Sequence, residues 1–137
     1  VFDIERFTAF EGKTGPYIQY TMVRIKSIVR KFAEKFGGLP EGKDIAPPAS
    51  AGETNLALKL CGFNEVVYSV YAQNSPQWLC QFAHEVCESF NRFYNERSIL
   101  NEPDAARREA DIALLTLTLE ILETCTDLLG FTAPDRM

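Results

Sequence analysis

Histidine is nearly missing from this chain, and so are the glycine patterns that build catalytic loops. Its 137 residues include one histidine, one tryptophan and two methionines. With His84 alone, a Ser-His or Cys-His nucleophilic pair has little support, and no Gly-x-Ser-x-Gly elbow, Walker loop or dinucleotide-binding glycine pattern occurs. The stretch EGKTG at residues 11–15 looks superficially like a phosphate loop, but it lacks the Gly-x-x-x-x-Gly-Lys-Ser/Thr spacing and no strong buried strand precedes it. No apolar run approaches the roughly 20 residues that cross a bilayer. The first residues lack the cationic-then-apolar order of a signal peptide. A cytoplasmic protein without membrane contact is therefore expected. The four cysteines show no paired spacing, which predicts free thiols rather than disulfides. Nothing alternates with period two for long, and repeats and low-complexity tracts are missing too. The opening Val1-Phe2-Asp3, without an initiator methionine, suggests a fragment of something longer.

What is present is enough for one core: 46% of the residues are hydrophobic and 12% aromatic, in a chain of single-domain size. The organising stretch is KTGPYIQYTMVRIKSIVRKFAEKF at residues 13–36. Thr14 or Gly15 can cap a helix there and Pro16 suits its first turn, where a missing N–H has no intrahelical partner to lose. Ile18, Met22, Ile25, Val29, Phe32 and Phe36 recur at steps of three and four, one apolar stripe. Tyr17, Tyr20, Arg24, Lys31 and Lys35 form a second stripe rotated by roughly 120°. Such a flank suits the edge of any amphipathic helix, but aromatic faces and cations together also suit unpaired bases and phosphates of single-stranded RNA. Charge segregation favours the second use. Residues 13–36 carry six Lys/Arg against Glu34 alone, a local balance of +5, while the whole chain is at −5. A basic patch on an acidic body steers an anionic partner to one face.

The rest reads as helices. Residues 1–15 form a mixed lead-in and a turn. Residues 38–52, rich in Pro, Gly and Ala, predict a flexible loop. Residues 53–73 give an apolar face of Leu56, Leu60, Phe63, Val67, Val70 and Tyr71, interrupted at 62–64, as a bent helix or two short ones. Ser75 is placed as a cap and Pro76 as the opening of a helix through about Tyr94, carrying Leu79, Phe82, Ala83, Val86, Phe90, Phe93 and Tyr94 as one stripe. The last helix runs over residues 104–129 with Ala106, Ala110, Ala113, Leu114, Leu117, Ile121, Cys125 and Leu128 in phase. Gly130 is placed as its stop, and residues 130–137 form a C-terminal tail. The expected fold is all-α, a bundle of four to five helices in one domain.

Cys80, His84 and Cys87, at i, i+4 and i+7, could in principle face a metal from one helix side. Cysteine as a small hydrophobe between helices, with His84 reaching the surface or a carbonyl, is the preferred explanation, and no metal site is assigned. Glu109, Asp111, Glu120 and Glu123 on the last helix read as a solvated face.

Three motifs occur in order: FEGKTGPYIQYTMVRIKSIVRK at residues 10–31, FNRFYN at 90–95, and LLGFTAPDRM at 128–137. Together they resemble the C-terminal anticodon-binding domain, of DALR type, of arginyl-tRNA synthetases, a class Ia synthetase domain. The resemblance implies that this domain holds the anticodon stem and loop of an arginine tRNA. It brings Tyr17, Tyr20, Arg24, Tyr94 and Met137 to the RNA, and the basic flank read above adds Lys31 and Lys35 as cations for the phosphate backbone. The string that names the domain is not present, and the 38–52 loop matches no family motif. The HIGH-type and KMSKS-type signatures of the adenylating domain are also missing. The chain by itself is thus expected to be non-catalytic and to need no cofactor, whereas the parent enzyme would use ATP and Mg²⁺ and supply its own catalytic domain as a partner. The competing expectation is a helical protein–protein interaction module without RNA binding, and a Cys/His metal enzyme is a more distant third.

Overall fold

In the computed structural model the described residues are 15–42 and 45–136. The lead-in, Thr14 and Met137 lie outside them. The first helix, α1, spans Gly15–Phe36 with Pro16 in its first turn. It ends where the sequence stops it: Gly37 and Gly38 take φ of +82° and +144°, and both N–H groups reach back to the Ala33 carbonyl at 3.0 Å. The next helix, α2, spans Ala51–Cys61 and is capped by Ser50, whose hydroxyl accepts from the Glu53 N–H at 3.1 Å. Ala51 and Gly52 therefore belong to this helix and not to the preceding loop. Gly62 separates it from α3, Phe63–Gln73, so the interruption read from the sequence divides two short helices.

The fourth helix, α4, spans Gln77–Glu96. Ser75 helps to open it through its backbone carbonyl, which accepts from Trp78 N–H at 3.2 Å. Its hydroxyl turns the other way, to Gln73 O, so the expected side-chain cap is not made. A 3₁₀ turn at Ile99–Asn101 leads to α5, Ala105–Leu128, where the Asp104 carboxylate caps by accepting from Ala106 N–H at 3.2 Å. Gly130, at φ +83°, lets the Phe131 N–H reach Thr126 O at 3.0 Å and closes that helix. The described residues form an all-α bundle of five helices without strands.

Helix α4 lies at the centre, packed on all four other helices, while α1 and α5 pack on each other. Leu79, Phe82, Ala83, Val86, Phe90 and Phe93 on α4 are buried, as are Ile18, Met22, Ile25 and Phe32 on α1. Ile28 is also buried, outside the predicted stripe, and Phe36 at its end is exposed beneath the Arg108 guanidinium, 4.1 Å from the ring centroid. On α5 the single predicted stripe is too narrow. Ile112, Leu115 and Leu122 are buried as well because this helix meets α1 and α4 at once, whereas Ala106 and Leu128 at its ends are exposed. Tyr71 is exposed rather than facing the core, since α3 packs chiefly on one neighbour, α4.

The clearest correction concerns Asp111. The sequence pattern places it on a solvated face, yet it is 0% exposed. Arg97 Nη2 lies 3.2 Å from one of its oxygens and Arg107 Nε 3.6 Å from the other. Arg107 also pairs with buried Glu53 and donates to Pro47 O at 2.7 Å, and Arg97 pairs with Glu102. Glu53 accepts from Ala49 N–H at 2.8 Å, and Gly52 N–H donates to Glu96 at 3.0 Å. A Cβ at Gly52 would fall 2.5 Å from that carboxylate oxygen, so glycine permits this close approach. The end of the 37–50 segment, α2, α4 and α5 thus meet in one ionic clamp. Three carboxylates share two guanidiniums there. Burial pushes the Asp111 carboxyl up to about 6, with Glu53 and Glu102 adding to the rise and Arg97 and Arg107 opposing it.

Candidate nucleic-acid interface

Helix α1 presents two outer flanks, and the structure uses them differently. One flank takes the C-terminal segment: Gln19 Nε2 donates to Thr132 O at 2.7 Å, and Lys26 Nζ to Ala133 O at 3.3 Å. Lys26 also lies 3.6 Å from Glu123 and 3.4 Å from Asp135, and Arg30 pairs with Glu34 at 3.9 Å. These two cations are neutralised locally. The other flank holds Tyr17, Tyr20, Arg24, Lys31 and Lys35. Among the described residues Arg24, Lys31 and Lys35 form no ion pair, so the positive charge of α1 is concentrated on this side.

Arg24 is held without a carboxylate. Its Nη1 donates to Asn91 Oδ1 at 3.2 Å, and its guanidinium lies over the Tyr94 ring at 4.4 Å from the centroid. Tyr94 in turn stacks on buried Phe90, with centroids 5.9 Å apart. Asn91 Nδ2 donates to the Tyr17 hydroxyl oxygen at 3.0 Å. The Tyr17 ring leans on His84, 5.1 Å between centroids. Burial raises the Tyr17 pKa and the Asn91 hydrogen bond lowers it, with a net rise, so its hydroxyl stays protonated at neutral pH. Tyr17 and Tyr94 are therefore half-buried rings that hold other groups, while Tyr20 stands 52% exposed. Lys31 is exposed, and Lys35 donates to Leu100 O at 2.7 Å, tying the 3₁₀ turn to α1 while keeping its charge. A shallow cavity of about 340 Å³, lined by Tyr94, Asn95, Glu96, Arg97 and Ser98, adjoins this flank.

The structure thus joins Tyr17 to Arg24 through Asn91 and sets Arg24 directly over Tyr94, and it carries Tyr20, Lys31 and Lys35 on the same helix flank. Met137 lies outside the described residues. Asn91 is the member that sequence reasoning missed. It sits in FNRFYN, three residues before Tyr94 and four after Cys87, on the α4 face turned to α1, and this spacing was the available signal. His84 does not reach the surface: it is 6% exposed, and among the described residues its Nδ1 finds no hydrogen bond and lies 3.8 Å from Glu88. Cys87 and Cys125 are buried thiols pushed up to about 12, mainly by burial, whereas Cys61 and Cys80 are exposed. Among the described residues, no group of three His, Cys, Asp or Glu could hold a metal ion.

A larger groove, about 630 Å³, lies on another side, between α2, α3 and α4. It is lined by Leu58, Val66, Trp78 and Phe82 among others, and Leu58 and Trp78 are exposed.

Residues 18–137 match the family described as "DALR anticodon binding domain". Among curated proteins, the chain is 49% identical over 138 residues to an arginine–tRNA ligase of Agathobacter rectalis, covering all of this chain and 23% of that protein. It is 44% identical to the arginine–tRNA ligase of Alkaliphilus oremlandii, again covering all of this chain and 23% of that protein. Among solved structures, the arginyl-tRNA synthetase of Thermus thermophilus superposes with a TM-score of 0.77 at 34% identity, covering 94% of this chain and 22% of that one. That of Plasmodium falciparum gives a TM-score of 0.82 at 22% identity over 99% of this chain and 23% of that one, a likeness of fold. The chain spans under a quarter of the length of these relatives.

Proposed function

The chain belongs to the DALR anticodon-binding domain family, and from this premise we propose that it captures the anticodon stem and loop of an arginine tRNA as one domain of an arginine–tRNA ligase. The observation that carries the reading is the flank of α1, where Arg24, Lys31 and Lys35 keep uncompensated charge beside the exposed ring of Tyr20. Lys31 and Lys35 hold phosphates, which fix position, while unpaired bases stack on Tyr20 and on the outer face of the Arg24 guanidinium. Tyr17 and Tyr94 act from beneath, one offering its hydroxyl and the other supporting Arg24. Met137 is assigned to the same loop through the motif that ends the chain.

Adenylation of arginine, with ATP and Mg²⁺, belongs to the catalytic domain of the longer ligase, and the chain itself supplies RNA affinity and no chemistry. Among the described residues no three His, Cys, Asp or Glu converge on one metal position. The working compartment is the cytoplasm, where its tRNA is charged. A protein contact is the second reading, favoured by the groove with exposed Leu58 and Trp78. The catalytic domain of the ligase is the partner it would take.

The test is a titration of the chain with two arginine tRNAs that differ only in the anticodon, at low and moderate salt. Salt-sensitive binding that weakens when the anticodon changes is the expected result. Binding that ignores the anticodon would reduce the flank to a non-specific basic patch, and no binding at either salt would bring the protein-contact reading forward.

A further inference from the structure

The Asn91 amide has only one orientation compatible with its neighbours. A guanidinium donates and never accepts, so the group 3.2 Å from Arg24 Nη1 must be the amide oxygen. The amide nitrogen then necessarily faces Tyr17 and donates to the hydroxyl oxygen at 3.0 Å. With its oxygen occupied as an acceptor, the Tyr17 hydroxyl has its own proton left to point away from Asn91. Arg24 meanwhile spends one of its five N–H donors on Asn91 and keeps its charge, because an amide is neutral.

We infer that Asn91 is a positioning residue that makes this patch donor-only, setting the Arg24 guanidinium and the Tyr17 O–H outward to bind an acceptor group of RNA. The inference rests on the anticodon-loop reading above. The matching chemistry is an oxygen or ring nitrogen that accepts and does not donate, supplied either by a phosphodiester or by the edge of an unpaired base. Two features fit a placed pair rather than a merely packed one. Arg24 is fixed from a second direction by the Tyr94 ring, and Tyr17 is backed by buried His84. Both groups therefore keep their aim, and among the described residues Arg24 forms no ion pair that would cancel its charge.

Asn91→Asp separates this role from simple support. A carboxylate has the same shape and still accepts from Arg24, and it also accepts from Tyr17, so the local scaffold and the melting temperature should persist. It would turn the Tyr17 proton inward, however, and neutralise Arg24. The chain is titrated with an arginine anticodon stem-loop RNA over a range of salt. The N91D variant is expected to bind about tenfold or more weakly, with a shallower salt dependence and an unchanged or higher melting temperature. Tyr17→Phe, which removes only the hydroxyl, should also weaken binding, and N91D should then cost less in the Y17F background than in the original chain. An equal loss for every loop sequence assigns the acceptor to a phosphate, and a loss that depends on the anticodon assigns it to a base. If N91D and Y17F bind as the original chain does, the inference is overturned while the anticodon reading stands. If the unmodified chain itself fails to bind the stem-loop, both fall together.

Discussion

Two arginine centres sit at opposite extremes in this molecule. In the clamp, Arg97 and Arg107 face Glu53, Glu102 and Asp111, all held by α2, α4, the 3₁₀ turn and α5. On the α1 flank, Arg24 faces an amide and an aromatic ring. The clamp cancels its cations, and with three carboxylates to two guanidiniums it carries net negative charge. The flank immobilises its cation without cancelling it. A guanidinium paired with buried carboxylates has no field left for a ligand, whereas one held by neutral partners is pre-positioned and still attracts phosphate. The choice of partner, and not the presence of arginine, divides structural from ligand-facing roles here.

The largest effect should come from breaking the clamp. Arg107→Ala leaves Glu53 and Asp111 buried with one cation between them, and removal of a buried partner of this kind costs about 3–5 kcal/mol. Arg24→Ala removes a charge-assisted hydrogen bond to a neutral amide and a half-buried ring contact, together about 1–3 kcal/mol. Urea denaturation of the two variants should therefore separate clearly, and RNA titration should reverse their order, with Arg24→Ala the weaker binder. Equal losses of stability would end the distinction between the centres.

A second difference lies in pH dependence. The carboxyl of Asp111 titrates at about 6 in the folded chain against an ordinary 3.8, so folding takes up a proton between these values. Stability from this group is complete below the unfolded value and is lost as pH rises through 6. Between pH 7.5 and pH 5 the fold should gain about 1–2 kcal/mol from it. Asp111→Asn should remove that increment, read as a flatter dependence of the urea midpoint on pH. The Arg24 centre, which contains no carboxylate, should show no such increment, and an unchanged profile in the Asp111 variant would contradict the crowding of charge in the clamp.

Tyr20 tests the flank alone. Its ring is 52% exposed, so Tyr20→Ala should leave the melting temperature nearly unchanged while weakening RNA binding by about 1–3 kcal/mol, the value of one stacked base. Loss of the cooperative melt would instead make Tyr20 part of the core.

The sequence made the helical order legible because local signals cause it. Pro16, Gly37 and Gly130 act within a turn of where they stand, and α4 is buried along a stripe that its own spacing describes. The flank was legible for the same reason, since Tyr17, Tyr20, Arg24, Lys31 and Lys35 share one helix. Asp111 was not. Its burial depends on Arg97 arriving from the end of α4 and on Glu53 arriving from α2, and a helical wheel contains neither. Ile112, Leu115 and Leu122 were missed likewise, because a helix packed on two sides hides its second face from any single-stripe reading. Asn91 lay within a quoted motif, but its meaning depends on which way the amide faces, and only the Arg24 guanidinium on a different helix decides that.

The smallest effect, and the one that tests charge most directly, belongs to Lys31. It is exposed and forms no ion pair among the described residues, so its removal should leave stability within about 0.5 kcal/mol of the original. A cation that neutralises one phosphate releases counterions when it binds. Lys31→Ala should therefore weaken affinity for all RNAs alike and lower the slope of log affinity against log salt by about one. Lys26→Ala is the matched control on the opposite flank, where Glu123 and Asp135 already neutralise the cation, and its slope should not change. If both lysines lowered the slope equally, RNA would be wrapping α1 without regard to flank, and the division between cancelled and uncancelled cations would not govern binding.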